Sequence, residues 1–218
     1  MNETVRSYDA DAAAYVENSA VMPDSVREAI EEFATTVGAG ARVLEIGSGG
    51  GRDAALMEEL GLQVRRTDIT PAFVAILREQ GHEADLLDPL VDDLTSPEGV
   101  YDAVWANASL LHVARRDLPA VLSRLAAVTR VGGLLRIAVK EGDGDGWSTH
   151  GSISSPRHFT YWRADALRSV VEAAGWGEVV IDTEPGTKLD ETWLEVTAVR
   201  DMGDGPAGVT EQSRGVLD

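Results

Sequence analysis

The chain has 218 residues, 37 acids against 19 lysines and arginines, a formal net charge of -18 and no cysteine. That length suits one compact domain with a sizeable core, and the missing cysteines exclude a disulfide scaffold, a thiolate nucleophile and a zinc–thiolate site. A surface this acidic repels phosphate backbones and anionic membranes, so nucleic acid and lipid surfaces are discounted as partners.

The N-terminal stretch MNETVRSYDADAAAYVENSA lacks the basic-then-apolar order of a secretory signal. No apolar run approaches the ~18–20 residues that span a bilayer, so a cytoplasmic protein is expected. Residues 1–40 read as two helices. One carries Tyr8, Ala12 and Tyr15 at i, i+4, i+7. The other carries Val26, Ile30, Phe33 and Val37 after Pro23, with Ser25 and Glu28 at capping-box spacing. Strands and helices then alternate. Val43 to Ile46 is a short buried strand, Asp53 to Leu60 a helix and Leu62 to Thr67 a strand. Pro71 opens a helix that runs to about Gln80. A weak strand near Glu83 to Asp85 leads into a loop from Leu87 to Gly99. Tyr101 to Ala106 is a strand, Leu118, Val121, Leu122, Leu125 and Val128 form a helical stripe, and Leu134 to Val139 is a strand. Residues 141–158, EGDGDGWSTHGSISSPRH, read as a long Gly/Ser-rich loop. Leu167, Val170, Val171 and Ala174 mark a helix closed by Gly175. Glu178 to Asp182 and Trp193 to Val199 lie close enough to pair as a hairpin. Such alternation implies parallel βαβ units with helices on both faces of one sheet. The domain is expected over residues 1–200, the helical cap included, and 201–218 read as a Gly- and Asp-rich mobile tail.

The most informative segment is Val43-Leu44-Glu45-Ile46-Gly47-Ser48-Gly49-Gly50-Gly51-Arg52-Asp53. Glycines between a strand and a helix let backbone approach a ligand closely, and the helix N-terminus offers free N–H donors to an anionic group. Asp68 follows 21 residues after Gly47, where a carboxylate can accept both hydroxyls of a ribose. A dinucleotide site wants a small residue at the position occupied by Arg52, which argues against NAD and an oxidoreductase.

The spacing Glu45-x-Gly47-x-Gly49-x-Gly51 resembles motif I of the class I S-adenosylmethionine-dependent methyltransferases. Further segments are similar in order: Arg66-Thr67-Asp68-Ile69-Thr70, Asp85-Leu86, Tyr101-Asp102-Ala103-Val104-Trp105-Ala106-Asn107, and Arg130-Val131-Gly132-Gly133-Leu134-Leu135, where Val131 stands in place of the usual proline. The resemblance covers roughly Tyr8 to Arg200. It implies an α/β fold: a doubly wound, mostly parallel seven-stranded sheet with a C-terminal antiparallel hairpin and two N-terminal capping helices. It also implies S-adenosyl-L-methionine as cofactor. The cofactor residues would be Glu45, Gly47, Ser48, Gly49, Gly51, Arg52 and Asp53, with Asp68 and Ile69 at the ribose, Asp85 and Leu86 at the adenine edge, and Asn107 on the fourth strand. Arg52 would partner the methionine carboxylate. Tyr15 would either meet that carboxylate or border the methyl group.

The acceptor side carries weaker signals. His112 lies six residues past the fourth strand, on the rim where α/β sheets place ligands, and reads either as a general base or as a packing histidine. Its ordinary pKa near 6.5 predicts a rate that rises with pH through that value. Only two lysines occur, Lys140 and Lys188. Lys140, Arg157 and His158 bracket the 141–158 loop and are assigned to an anionic acceptor, with a solvated loop as the alternative. Glu141-x-Asp143-x-Asp145-Gly146 is not a calcium loop, because its twelfth position is Ser152, and no metal is expected. The sequence therefore points to methyl transfer from S-adenosylmethionine to a small molecule. A non-catalytic module that binds the same cofactor is the alternative.

Overall fold

The computed structural model describes residues 3–186 and 191–201. The expected tail beyond Asp201 lies outside them. Seven strands form the main sheet, in the order β3-β2-β1-β4-β5-β9-β8. They are β1 (Arg42–Ile46), β2 (Gln63–Asp68), β3 (Asp85–Leu86), β4 (Tyr101–Asn107), β5 (Thr129–Lys140), β8 (Trp176–Pro185) and β9 (Thr192–Arg200). The first five are parallel, and β9 runs antiparallel between β5 and β8. The C-terminal hairpin thus forms as expected, with Ile181 opposite Val196. Leu44, Ile46, Val104 and Ala106 are buried in one core cluster while their neighbours Val43, Ala103 and Trp105 are buried in another, as a sheet covered on both faces requires.

Both faces are covered. Helices α6 (Leu118–Val128) and α7 (Ala164–Ala173) close one face around Leu122, Leu125 and Trp176, whose indole N–H donates to Leu122 O at 3.1 Å. Helices α3 (Asp24–Val37) and α4 (Arg52–Glu59) close the other over Phe33, Met57 and Trp105. The fifth helix, α5 (Pro71–Glu79), begins at proline as expected.

Three expectations need correction. The cap is three helices rather than two, because the first divides into α1 (Glu3–Ala10) and α2 (Ala12–Asn18) at Asp11. The i, i+4, i+7 pattern survives that break, where Asp11 leaves helical geometry (φ −110°, ψ 17°) and its Oδ2 accepts from Ser155 Oγ at 2.6 Å. Helix α3 starts at Asp24 behind an extended Pro23, and no side chain caps it, so Ser25 and Glu28 form no capping box. The 141–158 segment is not a plain loop. It contributes β6 (Asp145–Ser148) and leads into β7 (Arg157–Thr160), paired antiparallel from Asp145↔Thr160 to Ser148↔Arg157. Strands of four residues carry little period-2 signal of their own, and the partner strand defines them.

The cap is clasped to this hairpin over the carboxyl edge of the sheet. Ser7 Oγ donates to Pro156 O (2.6 Å), His158 N to Thr4 Oγ1 (2.9 Å) and Asn18 Nδ2 to Ser152 O (2.8 Å). On the other side Ala72 N, among the first free donors of α5, donates to Asp9 Oδ1 at 2.8 Å. Asp9 therefore caps α5 from another helix. Replacing Asp9 with alanine should cost about 1–2 kcal/mol. Thermal denaturation of the variant checks this, and an unchanged Tm contradicts it.

Candidate active site

At the carboxyl ends of β1, β2 and β4 two cavities of about 300 and 400 Å³ adjoin, and Tyr15, Gly47, Gly49 and Ala108 line both. The turn after β1 makes this junction. Gly47 has φ +82°, and a Cβ there would overlap the Cβ of Ser109. A Cβ on Gly51, at φ +81°, would stand 2.6 Å from Leu77 Cδ2. Both positions need glycine, one for the approach of β4 and the other for the packing of α5.

Asp68 closes the end of β2 and is 5% exposed. Its Oδ2 accepts from Gly49 N at 2.9 Å and its Oδ1 from Thr70 N at 2.8 Å. Burial raises its pKa against the pull of these amides. Ile69, Thr70 and Phe73 continue the wall of the larger cavity.

The smaller cavity is acidic. Glu45 is 2% exposed and accepts from Ser48 Oγ. Burial, with the Asp53 charge beside it, pushes its carboxyl up to about 8, so it holds its proton at neutral pH. Asp53 Oδ2 accepts from Asn107 Nδ2 (2.8 Å) and from the Trp105 indole (3.2 Å), and its Oδ1 meets Arg52 at 2.9 Å. Arg52 also donates to Ser19 O at 3.0 Å, which ties the end of α2 to this wall. The structure thus gathers Tyr15, Glu45, Gly47, Ser48, Gly49, Arg52, Asp53, Asp68, Ile69 and Asn107 around two connected cavities, with Gly51 in the turn behind them.

His112 lies on the larger cavity, in a 3₁₀ turn (Leu110–His112). Its Nδ1 stands 2.6 Å from His158 O and must donate there, which leaves Nε2 as an acceptor for the Tyr8 hydroxyl at 2.9 Å. Burial, with the charges of Arg157 and Lys140 nearby, lowers its pKa to about 4. The ionisation expected near 6.5 is corrected accordingly.

The adenine-edge and acceptor residues are not brought to these cavities. Asp85 lies opposite Thr67, one residue short of Leu86 at the level of Asp68, and pairs with Arg65 at 2.7 Å. Leu86 is 55% exposed, and Leu87 and Asp88 line the cavity instead. Lys140 pairs with Glu191 over the Phe159 ring. Arg157 is 3% exposed and donates to His150 O (2.6 Å) and Ile153 O (3.2 Å). The His158 side chain meets Asp145 at 3.3 Å on the hairpin. Two further residues escape sequence reasoning. Ala108 has a left-handed backbone, φ +53°, which costs about 1–2 kcal/mol in a residue with a Cβ and has no compositional signal. Ser109 Oγ is buried on the cavity wall with no partner among the described residues.

Residues 20–179 match the family described as a methyltransferase domain. The chain belongs to this methyltransferase family. A ubiquinone biosynthesis O-methyltransferase of Xanthomonas axonopodis pv. citri is 37% identical over 102 residues, which cover 44% of this chain and 42% of that enzyme. The chain thus matches less than half the length of such curated relatives. The fold is that of solved methyltransferases. The CcbJ methyltransferase of Streptomyces caelestis superposes with a TM-score of 0.69 at 20% identity, over 91% of this chain and 100% of that one. The Burkholderia thailandensis 1,6-didemethyltoxoflavin-N1-methyltransferase, solved with its acceptor and S-adenosylhomocysteine, gives 0.63 at 23% identity over 81% and 78%. Among the described residues no helix is long and apolar enough to cross a membrane.

The lowered pKa of His112 makes an acid-stability prediction. A group whose folded pKa lies below its unfolded value contributes stability that is present above the unfolded value and is lost as pH falls through the folded one. Between about pH 6.5 and 4 the fold should lose up to about 3 kcal/mol on this account. Urea denaturation across that range checks it, because His112→Gln should flatten this part of the profile. An identical profile in the variant contradicts the assignment.

Proposed function

We propose that the protein transfers a methyl group from S-adenosylmethionine to a small-molecule acceptor, with His112 as the proton acceptor. The observation that carries the reading is the pair of connected cavities, one holding Asp68 and the other Glu45, Arg52 and Asp53, joined at Gly47. When bound, S-adenosylmethionine supplies an electrophilic methyl group on a sulfonium.

The residues present fit that group. Gly47 leaves a cradle that a Cβ would fill, and Ser109 Oγ is an orphan donor beside it. Asp68 has its carboxylate fixed by two amides, with lone pairs left for the two hydroxyls of a ribose. Asp53 and Arg52, paired with each other at 2.9 Å on the wall of the smaller cavity, offer a zwitterion a carboxylate for its ammonium and a guanidinium for its carboxylate if it exchanges for that pair. Asp88, rather than Asp85, is the carboxylate on the segment after β3 that lines the larger cavity. Tyr15 lines both chambers and shields their junction from water. A small-molecule acceptor is also what the matched N1-methyltransferase is named for and was solved with. The acidic chain does not suit a nucleic-acid substrate.

Calorimetric titration tests the reading. S-adenosylmethionine and S-adenosylhomocysteine should bind, NAD should not, and Asp68→Ala should weaken binding about ten- to a hundredfold while the protein stays folded. Binding of NAD alone, or unchanged affinity in the folded variant, overturns it.

The role of His112 is tested by turnover. His112→Ala should keep cofactor affinity and lower turnover by about 10² to 10⁴. Because the imidazole stays uncharged well below neutrality, wild-type kcat/KM should show no His112 ionisation between about pH 5.5 and 8. A rise through about 6.5 that the variant lacks contradicts the buried, neutral histidine.

A further inference from the structure

The bonds around His112 restrict what the acceptor can be. The carbonyl of His158 takes the Nδ1–H, so Nε2 can only accept, and what it accepts in this structure is the O–H of a phenol, that of Tyr8. The Tyr8 ring is walled by Phe73, Tyr15 and His112 itself, with centroids 5.9, 5.4 and 5.4 Å away. All four residues line the larger cavity.

Resting on the methyltransferase reading, we propose that the acceptor is a phenol, and that it binds by taking over from Tyr8 the hydrogen bond to His112 Nε2. Tyr8 then serves as a placeholder that satisfies the buried imidazole until the acceptor arrives.

Charge and shape separate a phenol from other nucleophiles. A carboxylate would set its lone pairs against that of Nε2. An ammonium would meet the field of Arg157, whose guanidinium lies 5.6 Å from the Tyr8 ring centre. Arg157 is buried and has no carboxylate partner among the described residues. The other charged groups that act on the pair are Lys140, which Glu191 neutralises, His158 on the hairpin, and Asp68 towards Tyr8. The aromatic walls favour a flat ring over an aliphatic alcohol. As the phenolic oxygen bonds to the methyl carbon and the carbon–sulfur bond breaks, the phenol proton passes to Nε2. The positive charge lost at sulfur thus leaves as that proton, which the imidazole, its pKa lowered to about 4, passes on to water. A cation at Arg157 favours the negative charge that develops on the oxygen during this step.

Binding of four simple probes decides the matter, measured by calorimetry on the protein alone and saturated with S-adenosylhomocysteine. The probes are 4-methylphenol, which is the tyrosine side chain cut free, 4-methylanisole, 4-methylbenzoate and 4-methylbenzylamine. The phenol should bind about tenfold or more tighter than each of the others. Tyr8→Phe, which keeps the ring but cannot hold Nε2, should tighten phenol binding by about three- to tenfold, because no bond has to be surrendered. The proposal is overturned if the benzoate, the amine or the ether binds as well as the phenol, if the phenol does not bind, or if Tyr8→Phe leaves its affinity unchanged or weaker. Titration of S-adenosylhomocysteine into the same samples keeps the two readings apart. Its failure to bind counts against the cofactor, whereas a failed phenol arm with the cofactor product bound counts against the phenol alone.

Discussion

The two hydrogen bonds that backbone amides donate to Asp68 hold the site together. Gly49 donates to one carboxylate oxygen and Thr70 to the other, so a single buried side chain fixes the glycine turn after β1 against the end of β2. Much else follows from that placement. With the turn held there, Gly47 can lie against Ser109 at the end of β4, and Gly51 can admit Leu77 of α5. The same turn starts α4 at Arg52 and Asp53, which carries the acidic chamber. Burial works against the charge of this carboxyl and the two amides work for it, and Asp68 lines the larger cavity.

The two chambers hold their titratable groups in different ways. Burial, with the Asp53 charge beside it, keeps Glu45 protonated, and Asp53 itself is paired with Arg52. Around His112 the neighbouring charges are Arg157 and Lys140, and the imidazole is held neutral. Tyr8 lies between these regions, bonded to His112 and packed against Tyr15 and Phe73. The cap helices that carry both tyrosines are fastened to the β6–β7 hairpin and the loop within it by four side-chain hydrogen bonds.

What could be read from sequence was whatever depends on local pattern. The order of strands and helices from Val43 to Val199, and the turn with Asp68, follow from periodicity and glycine spacing, and the structure has them. Where the structure places residues differently from the sequence reading, a neighbour distant in sequence decides the outcome. Asp85 was expected at the adenine edge, but β3 is two residues long, and Arg65 claims its carboxylate. Lys140, Arg157 and His158 looked like free cations for an anionic acceptor, yet Glu191, three backbone carbonyls and Asp145 engage them. The break at Asp11 and the β6–β7 ladder are likewise tertiary. The strained backbone of Ala108 leaves no trace in composition at all.

The account rests on one ligand spanning both cavities across Gly47, and a crystal structure of the protein grown with S-adenosylhomocysteine tests this most directly. The account predicts electron density for the ribose within hydrogen-bond distance of Asp68 and for the amino-acid end beside Asp53 and Arg52, with Tyr15 closing over the join. Density for the nucleoside away from Asp68, or confined to a different cavity, would contradict it.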